Sequence, residues 1–376
     1  MSSDLILVIV VATALAFDFT NGFHDTANAV ATSIATGALK PRTAVLLAGV
    51  LNLVGAFLSV QVAKTISSGL VDDTKITPTV IFAGLVGAIV WNLLTWLVGL
   101  PSSSSHALIG GLIGATWVAA GADAVKFASL VGKVLLPAVL APIIAGVIAL
   151  IATRLAYRIT ARAAKGTVTK GFKLGQIVSG SMVALAHGTN DGQKTMGIIT
   201  LTLITAGVLP ADAGPPFWVI LSSGLAIALG TYMGGWRIIQ TLGMRVCAIE
   251  PPQGFAAGIS NATVILTSSH LGFPLSTTQV ATGSIFGAGA ARGAASVRWG
   301  IGGKVAFAWL LTLPAAASFG AVAALMADTG PLGTIIVAVV LVGLAGGIYA
   351  ASRRRPVTAD NVTDLSAPSQ PVDLAA

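Results

Sequence analysis

Apolar residues run along this chain in long blocks, and a helix needs about 20 of them to cross a bilayer. The first block covers residues 5–39, too long for one simple span, and ends at Lys40-Pro41-Arg42. A second span is predicted over 43–63, followed by a polar joint with Lys64, Asp72, Asp73 and Lys75. Two apolar arms, 80–100 and 107–120, meet at Pro101-Ser102-Ser103-Ser104-Ser105-His106. A span over 134–152 leads into the most basic stretch, with Arg154, Arg158, Arg162, Lys165, Lys170 and Lys173. The pattern then repeats. A long block covers 174–209 and a span covers 217–236. A second pair of arms, 255–272 and 280–290, meets at Pro274-Leu275-Ser276-Thr277-Thr278-Gln279. Spans over 305–326 and 332–350 follow, and Arg353-Arg354-Arg355 closes the apolar part.

These blocks predict an all-α polytopic membrane protein. The first transmembrane repeat is residues 1–153, a basic cytoplasmic linker is 154–173, and the second repeat is 174–352. Residues 353–376, rich in Pro, Ser and Asp, read as a disordered cytoplasmic tail. Composition agrees: 55% of residues are hydrophobic, 9% are charged and the mean hydropathy is +0.89. A soluble chain carries about 25% charged residues. No cleavable signal sequence is expected, because the first apolar block lacks a basic leader and runs into a polar motif. One cysteine, Cys247, excludes an internal disulfide framework. The net charge of +8 is read as loop charge that sets topology, not as a nucleic-acid surface.

Both long blocks carry polar residues near their middle. The first reads Asn21-Gly22-Phe23-His24-Asp25-Thr26-Ala27-Asn28, the second His187-Gly188-Thr189-Asn190-Asp191-Gly192-Gln193-Lys194. One constant shift places Gly22 on Gly188 and Asp25 on Asp191. A slightly longer shift places Pro101 on Pro274, Ser103 on Ser276, Ser104 on Thr277 and Ser105 on Thr278. It also places Gly110 on Gly283 and Gly114 on Gly287. With the N-terminus outside, and each arm pair entering and leaving on one side, most Lys and Arg residues lie in the cytoplasm. Only Lys64, Lys75, Lys126 and Lys133 then lie outside. The motif segments cross in opposite directions, so the halves are expected to be inverted-topology repeats. Each would have a broken helix and a re-entrant helical hairpin. Secondary transporters are built this way, with the site near the midplane.

The side chains indicate what such a site would hold. Pro followed by hydroxyls reads as a helix start, so Ser103, Ser104 and Ser105 should lie at one N-terminus and Ser276, Thr277 and Thr278 at another. Unpaired N–H groups and hydroxyls there suit a tetrahedral oxyanion. Asp25 and Asp191 suit a hard cation or a proton, beside the amide oxygens of Asn28 and Asn190. Gly22, Gly188 and Gly192 are expected to let the chain unwind and offer carbonyl ligands. His24, His106 and His187 are candidate proton carriers, Lys194 a fixed cation, and Asp18 a third acid in the site or at its mouth. The plainer readings are hydroxyls that only cap helices and acids that form a structural ion pair. Cation-coupled oxyanion symport accounts for both kinds of feature. A passive oxyanion channel and an enzyme acting on a membrane phosphate ester remain alternatives. Nucleotide binding is disfavoured, because Gln193 separates Gly192 from Lys194 and the segment is a membrane span. No metalloprotease or esterase signature occurs, so no enzyme is expected.

At these residues the chain resembles the inorganic phosphate transporter (PiT) family. That family carries a Gly-x-Asn-Asp-x-x-Asn type motif in each half. Here the copies read Gly22-Phe23-His24-Asp25-Thr26-Ala27-Asn28 and Gly188-Thr189-Asn190-Asp191-Gly192-Gln193-Lys194. The resemblance implies phosphate uptake by cation symport and alternating access. Ser103, Ser104, Ser105, Ser276, Thr277 and Thr278 would bind phosphate. Asn21, His24, Asp25, Asn28, Asn190, Asp191 and Lys194 would bind or flank the coupling cation or proton. His24 and Lys194 depart from the sodium-coupled pattern, which has Asn at both places. A protonatable ring and a fixed cation fit proton coupling, as in the bacterial low-affinity branch, better than two sodium ions. In that branch the substrate is thought to be a neutral metal–phosphate complex, with Mg2+ a candidate metal. Sodium coupling is the alternative. The short basic linker also looks bacterial, which implies the inner membrane. No resident cofactor and no nucleic-acid partner are implied, and a homodimer stays open.

Overall fold

The structure is a computed structural model that describes residues 3–364. Among these residues it is built of helices, with no strand beyond two isolated bridges. In the first half, α1 (Ser3–Asp25) and α2 (Ala27–Ala35) form the first motif block, and α3 (Pro41–Gly55) and α4 (Gln61–Gly69) follow. The arms are α5 (Pro78–Leu97) and α6 (Ser104–Ala120). A short α7 (Phe127–Leu130) passes through a π turn at Val131–Leu135 into α8 (Leu136–Ile159). In the second half, α9 (Lys165–His187) passes through a π turn at Gly188–Gly192 into α10 (Gln193–Thr205). Then come α11 (Phe217–Met233), α12 (Trp236–Gln240), the arms α13 (Pro251–His270) and α14 (Thr277–Ala290), α15 (Trp299–Ala327) and α16 (Pro331–Ser352).

Local chemistry sets the ends of these helices. Pro stands in the first turn of α3, α5, α13 and α16, where its missing N–H costs nothing. Gly99 and Gly272 have positive φ, 69° and 74°, and end the first arm of each pair. Gly121 and Gly293 do the same after the second arms, with φ of 83° and 118°. The bridges Val71–Val125 and Cys247–Val297 stand at matching places in the two halves.

Packing alternates between the halves. The hairpin α5–α6 lies against α15, and α13–α14 lies against α8. The glycines matched by the repeat sit at these contacts. A side chain on Gly110 or Gly114 would meet the carbonyl oxygen of Leu313 or Ala317, and one on Gly283 or Gly287 that of Pro142 or Gly146. Small residues bring helix backbones together where lipid gives no hydrophobic drive for association. The outer faces of α8, α15 and α16 expose Ile143, Val147, Ile151, Leu310, Val322, Val339 and Val342, as lipid-facing surfaces should.

Five described segments are long and apolar enough to cross a membrane: Asp4–Ala35, Pro78–Leu97, Phe127–Ile159, Trp299–Ala327 and Pro331–Ser352. A sixth is possible in α11 with Trp236–Arg245, bent by 59°. Two sequence expectations need correction. The span over 43–63 ends early, at Gly55, and Lys64 lies inside α4 instead of in a loop. The tail expected to be disordered is packed over residues 353–364. Arg237 donates to the carbonyl oxygens of Ser352 and Arg355 at 2.9 and 2.6 Å, and Gln240 to that of Asp364 at 2.9 Å. Val362 is 1% exposed among core residues of α2, α3 and α14. Residues 365–376 lie outside the described part.

Candidate functional site

The two motif copies and the two hairpin tips converge inside the molecule. Asp25 ends α1, and Asp191 lies in the π turn between α9 and α10. A π turn inserts one residue into the helical ladder and is frequent at functional sites. The tip of each hairpin supplies the first turn of its second helix. Ser103 Oγ accepts from the His106 amide at 3.1 Å and Ser276 Oγ from the Gln279 amide at 3.2 Å, so both are N-caps. That agrees with the reading of Pro and hydroxyls as helix starts.

The remaining hydroxyls touch the acids directly. Ser104 donates to Asp25 Oδ2 at 2.7 Å. Thr277 Oγ1 lies 2.9 Å from Asp191 Oδ2 and 3.3 Å from Asp25 Oδ2. One hydroxyl of the second hairpin thus joins both motif copies. The sequence reading set a cation side, built from the acids, apart from an anion side, built from the Ser/Thr tips. In the structure they form one network. Thr278 Oγ1 accepts from Asn28 Nδ2 at 3.1 Å, and Ser105 Oγ accepts from Lys194 Nζ at 2.5 Å. Lys194 Nζ also donates to Asp191 and to the Leu275 carbonyl oxygen at 2.8 Å.

Both imidazoles of the motifs pair with these acids. His24 Nδ1 is 2.6 Å from Asp25 Oδ1, and its Nε2 meets Thr95 and Ser102 at 3.2 and 3.3 Å. His187 Nε2 lies 3.1 Å from Asp191 Oδ2 and 3.9 Å from Asp25 Oδ2, and its Nδ1 is 3.1 Å from Asn52 Oδ1. Asp25, His187 and Asp191 offer three ligand atoms within 4.8 Å of one another, a geometry that can hold a cation. The Oδ1 atoms of Asn21, Asn28 and Asn190 are buried without a hydrogen-bond partner among the described residues. With neutral imidazoles, two carboxylates and one ammonium leave the cluster one negative charge. Buried charge of this kind is costly unless compensated.

Two expectations change. Gly22 does not unwind the chain, whereas Gly188 and Gly192 bound the π turn. Gly22 is helical, and a side chain there would meet the Ile227 carbonyl oxygen of α11; at Gly188 it would meet that of Asn52 in α3. Gly22 and Gly188 let helices approach, and the interruption falls at Thr26 in one copy and in the π turn from Gly188 to Gly192 in the other. His106 sits apart from the acid hydrogen bonds. It lines an apolar crevice of about 950 Å3 between α8, α14 and α15.

The sequence reading missed Asn52, Thr95, Ser102, Thr231, Asn261 and Ser269. Asn52 donates to Thr231 at 2.7 Å, Asn190 donates to Ser269 at 2.9 Å, and Asn261 Nδ2 lies 3.4 Å from the Asn28 carbonyl oxygen. Asn52, Thr95 and Thr231 are single polar residues in apolar helices, a weak signal of function, whereas Ser102 belongs to the hydroxyl run of the first tip and Asn261 and Ser269 stand beside other polar residues of α13.

Comparison with known proteins fits this geometry. The profile described as the phosphate transporter family matches residues 21–320. A protein from Mycobacterium tuberculosis, described as a probable low-affinity inorganic phosphate transporter, is 55% identical over 95% of this chain and 86% of its own. One from Bacillus subtilis with the same description is 43% identical over 85% of this chain and 96% of its own. A solved structure described as the sodium-dependent phosphate transporter aligns with a TM-score of 0.77. It is 26% identical and covers 85% of this chain and 98% of that one.

Proposed function

Because the chain belongs to the phosphate transporter family, we propose that it imports inorganic phosphate across a bacterial cell membrane by symport and alternating access, with protons as the coupling ion. The bridge made by Thr277 between Asp25 and Asp191 carries this reading. A phosphate that took the hydroxyls of Ser104 and Thr277 would remove donors from two carboxylates. Those carboxylates would then need positive charge from elsewhere, so anion and cation binding are linked through shared atoms.

The charge balance favours protons. Lys194 already supplies a fixed ammonium to Asp191. A single proton on either imidazole in contact with these acids, His24 or His187, neutralises the one remaining negative charge. The first turns of α6 and α14 are the places for phosphate oxygens, with Ser103, Ser104, Ser105, Ser276, Thr277 and Thr278 around them. The repeated elements support two inverted repeats, with the N-terminus outside and the C-terminus in the cytoplasm.

One observation favours sodium instead. Asp25, His187 and Asp191 converge closely enough for a metal ion, and unpartnered oxygens of Asn28 and Asn190 stand nearby in the motifs. Uptake into proteoliposomes, with sodium, pH and magnesium varied separately, tests the choice. Proton coupling predicts uptake driven by a pH gradient without sodium, and its loss in Asp25→Asn. Uptake that follows sodium alone and ignores pH sinks the proton assignment.

A further inference from the structure

Asp18 is the buried acid that the network above leaves out. It lies on α1 seven positions before Asp25 and three before Asn21, so all three share one face of the helix. The rise from Asp18 to Asp25 is about 10 Å. Asp18 is 0% exposed, and neither carboxylate oxygen has a hydrogen-bond partner among the described residues. Thr195 and Asn21 are the polar side chains that face it, and Asp191 and His187 are the titratable groups that act on it. Thr195 comes from α10, which packs against α1. Thr195 Oγ1 and Asn21 Oδ1 are themselves buried and unpartnered. Four oxygens without partners are thus gathered by two helices beside the main site.

An isolated carboxylate in such a place is strongly disfavoured, whereas the protonated acid is neutral and can donate its own O–H. The lining fits that form. Thr195 can donate to one carboxyl oxygen, and either oxygen lone pair of Thr195 or Asn21 can accept from the acid. We propose that Asp18 is a second proton site, distinct from the Asp25–Asp191 cluster, which carries one proton per transport cycle. This rests on the proton-coupled reading above. Loading takes a proton from hydronium on the side of entry, breaking one O–H bond there and forming one on a carboxylate oxygen, and unloading returns that proton to water on the side of release.

Two measurements test it on the purified full chain. Infrared difference spectra on phosphate addition should contain the carbonyl stretch of a protonated carboxylic acid. That band should vanish in Asp18→Asn and move in Asp18→Glu. Proton uptake per phosphate in proteoliposomes, read with an internal pH dye, should fall by one in Asp18→Asn and be kept by Asp18→Glu. A wild type that takes up phosphate without protons overturns the coupling reading itself. A wild type with proton uptake, but the same ratio and the same infrared band in Asp18→Asn, overturns only the role of Asp18. A sodium-induced rise in melting temperature that disappears in Asp18→Asn also overturns it, by making the pocket a sodium site.

Discussion

Lys194 offers a direct measure of how much the central network depends on its fixed cation. The side chain is 1% exposed and donates to Asp191, to Ser105 and to the Leu275 carbonyl oxygen. Lys194→Met keeps the bulk and removes the charge. Removing one partner of a buried pair costs about 3–5 kcal/mol, because the other charge is stranded. Asp191 keeps the Thr277 hydroxyl at 2.9 Å and His187 at 3.1 Å, so the low end, about 3 kcal/mol, applies here. At about 2 °C per kcal/mol for a chain this large, the melting temperature should fall by about 6 °C. The assay is the monodisperse fraction that survives graded heating in detergent. Adding Asp191→Asn removes the stranded charge, so the double variant should melt above Lys194→Met alone. If Lys194→Met melts with the wild type, or the double variant simply adds the two single losses, then the ammonium does not hold the network as described.

Other changes read different parts of the same site. Lys194→Asn replaces the fixed cation by a neutral oxygen ligand and should make phosphate uptake respond to sodium; unchanged sodium independence counts against the cation-substitute role. Thr277→Val removes the hydroxyl shared by Asp25 and Asp191. Hydrogen bonds to charged groups contribute about 1.5–3 kcal/mol each, so initial-rate uptake should fall at least about tenfold, with Thr277→Ser restoring most of it. Gly114→Ala and Gly287→Ala drive a methyl group against the backbone of Ala317 and Gly146. Each should lose about 1–3 kcal/mol of stability in the same heating assay. Val362→Ala removes apolar bulk from the packed tail and should lose about 1–2 kcal/mol, whereas a freely moving tail would show no change.

Much of the outcome was legible in the chain itself. Long apolar blocks require helices, because backbone N–H and C=O groups in lipid must pair within the segment. Hydroxyls after Pro marked the helix starts, and the caps of Ser103 and Ser276 follow from local chemistry alone. Asp25, Asp191 and the Ser/Thr tips stood out because buried charge and unpaired hydroxyls need a reason in an apolar span. The role of Gly22 differs from the sequence expectation. A glycine in a polar motif permits unwinding, but it also permits close approach, and only the neighbouring helix decides between them. Asn52, Thr95 and Thr231 were missed for a similar reason, since a single polar residue says little until its partner is known.

What the sequence determined by itself is the class of the protein: repeated membrane halves, with acids and hydroxyl-rich helix starts in matching places. Tertiary structure alone decided that these are one site. Asp25 and Thr277 are joined by contacts between residues 252 positions apart. No local pattern encodes such a pairing, because it depends on how the hairpins of both halves pack against helices of the other. That packing set the acids against the hydroxyls, placed Lys194 between them, and left Asp18 alone on the same face of α1.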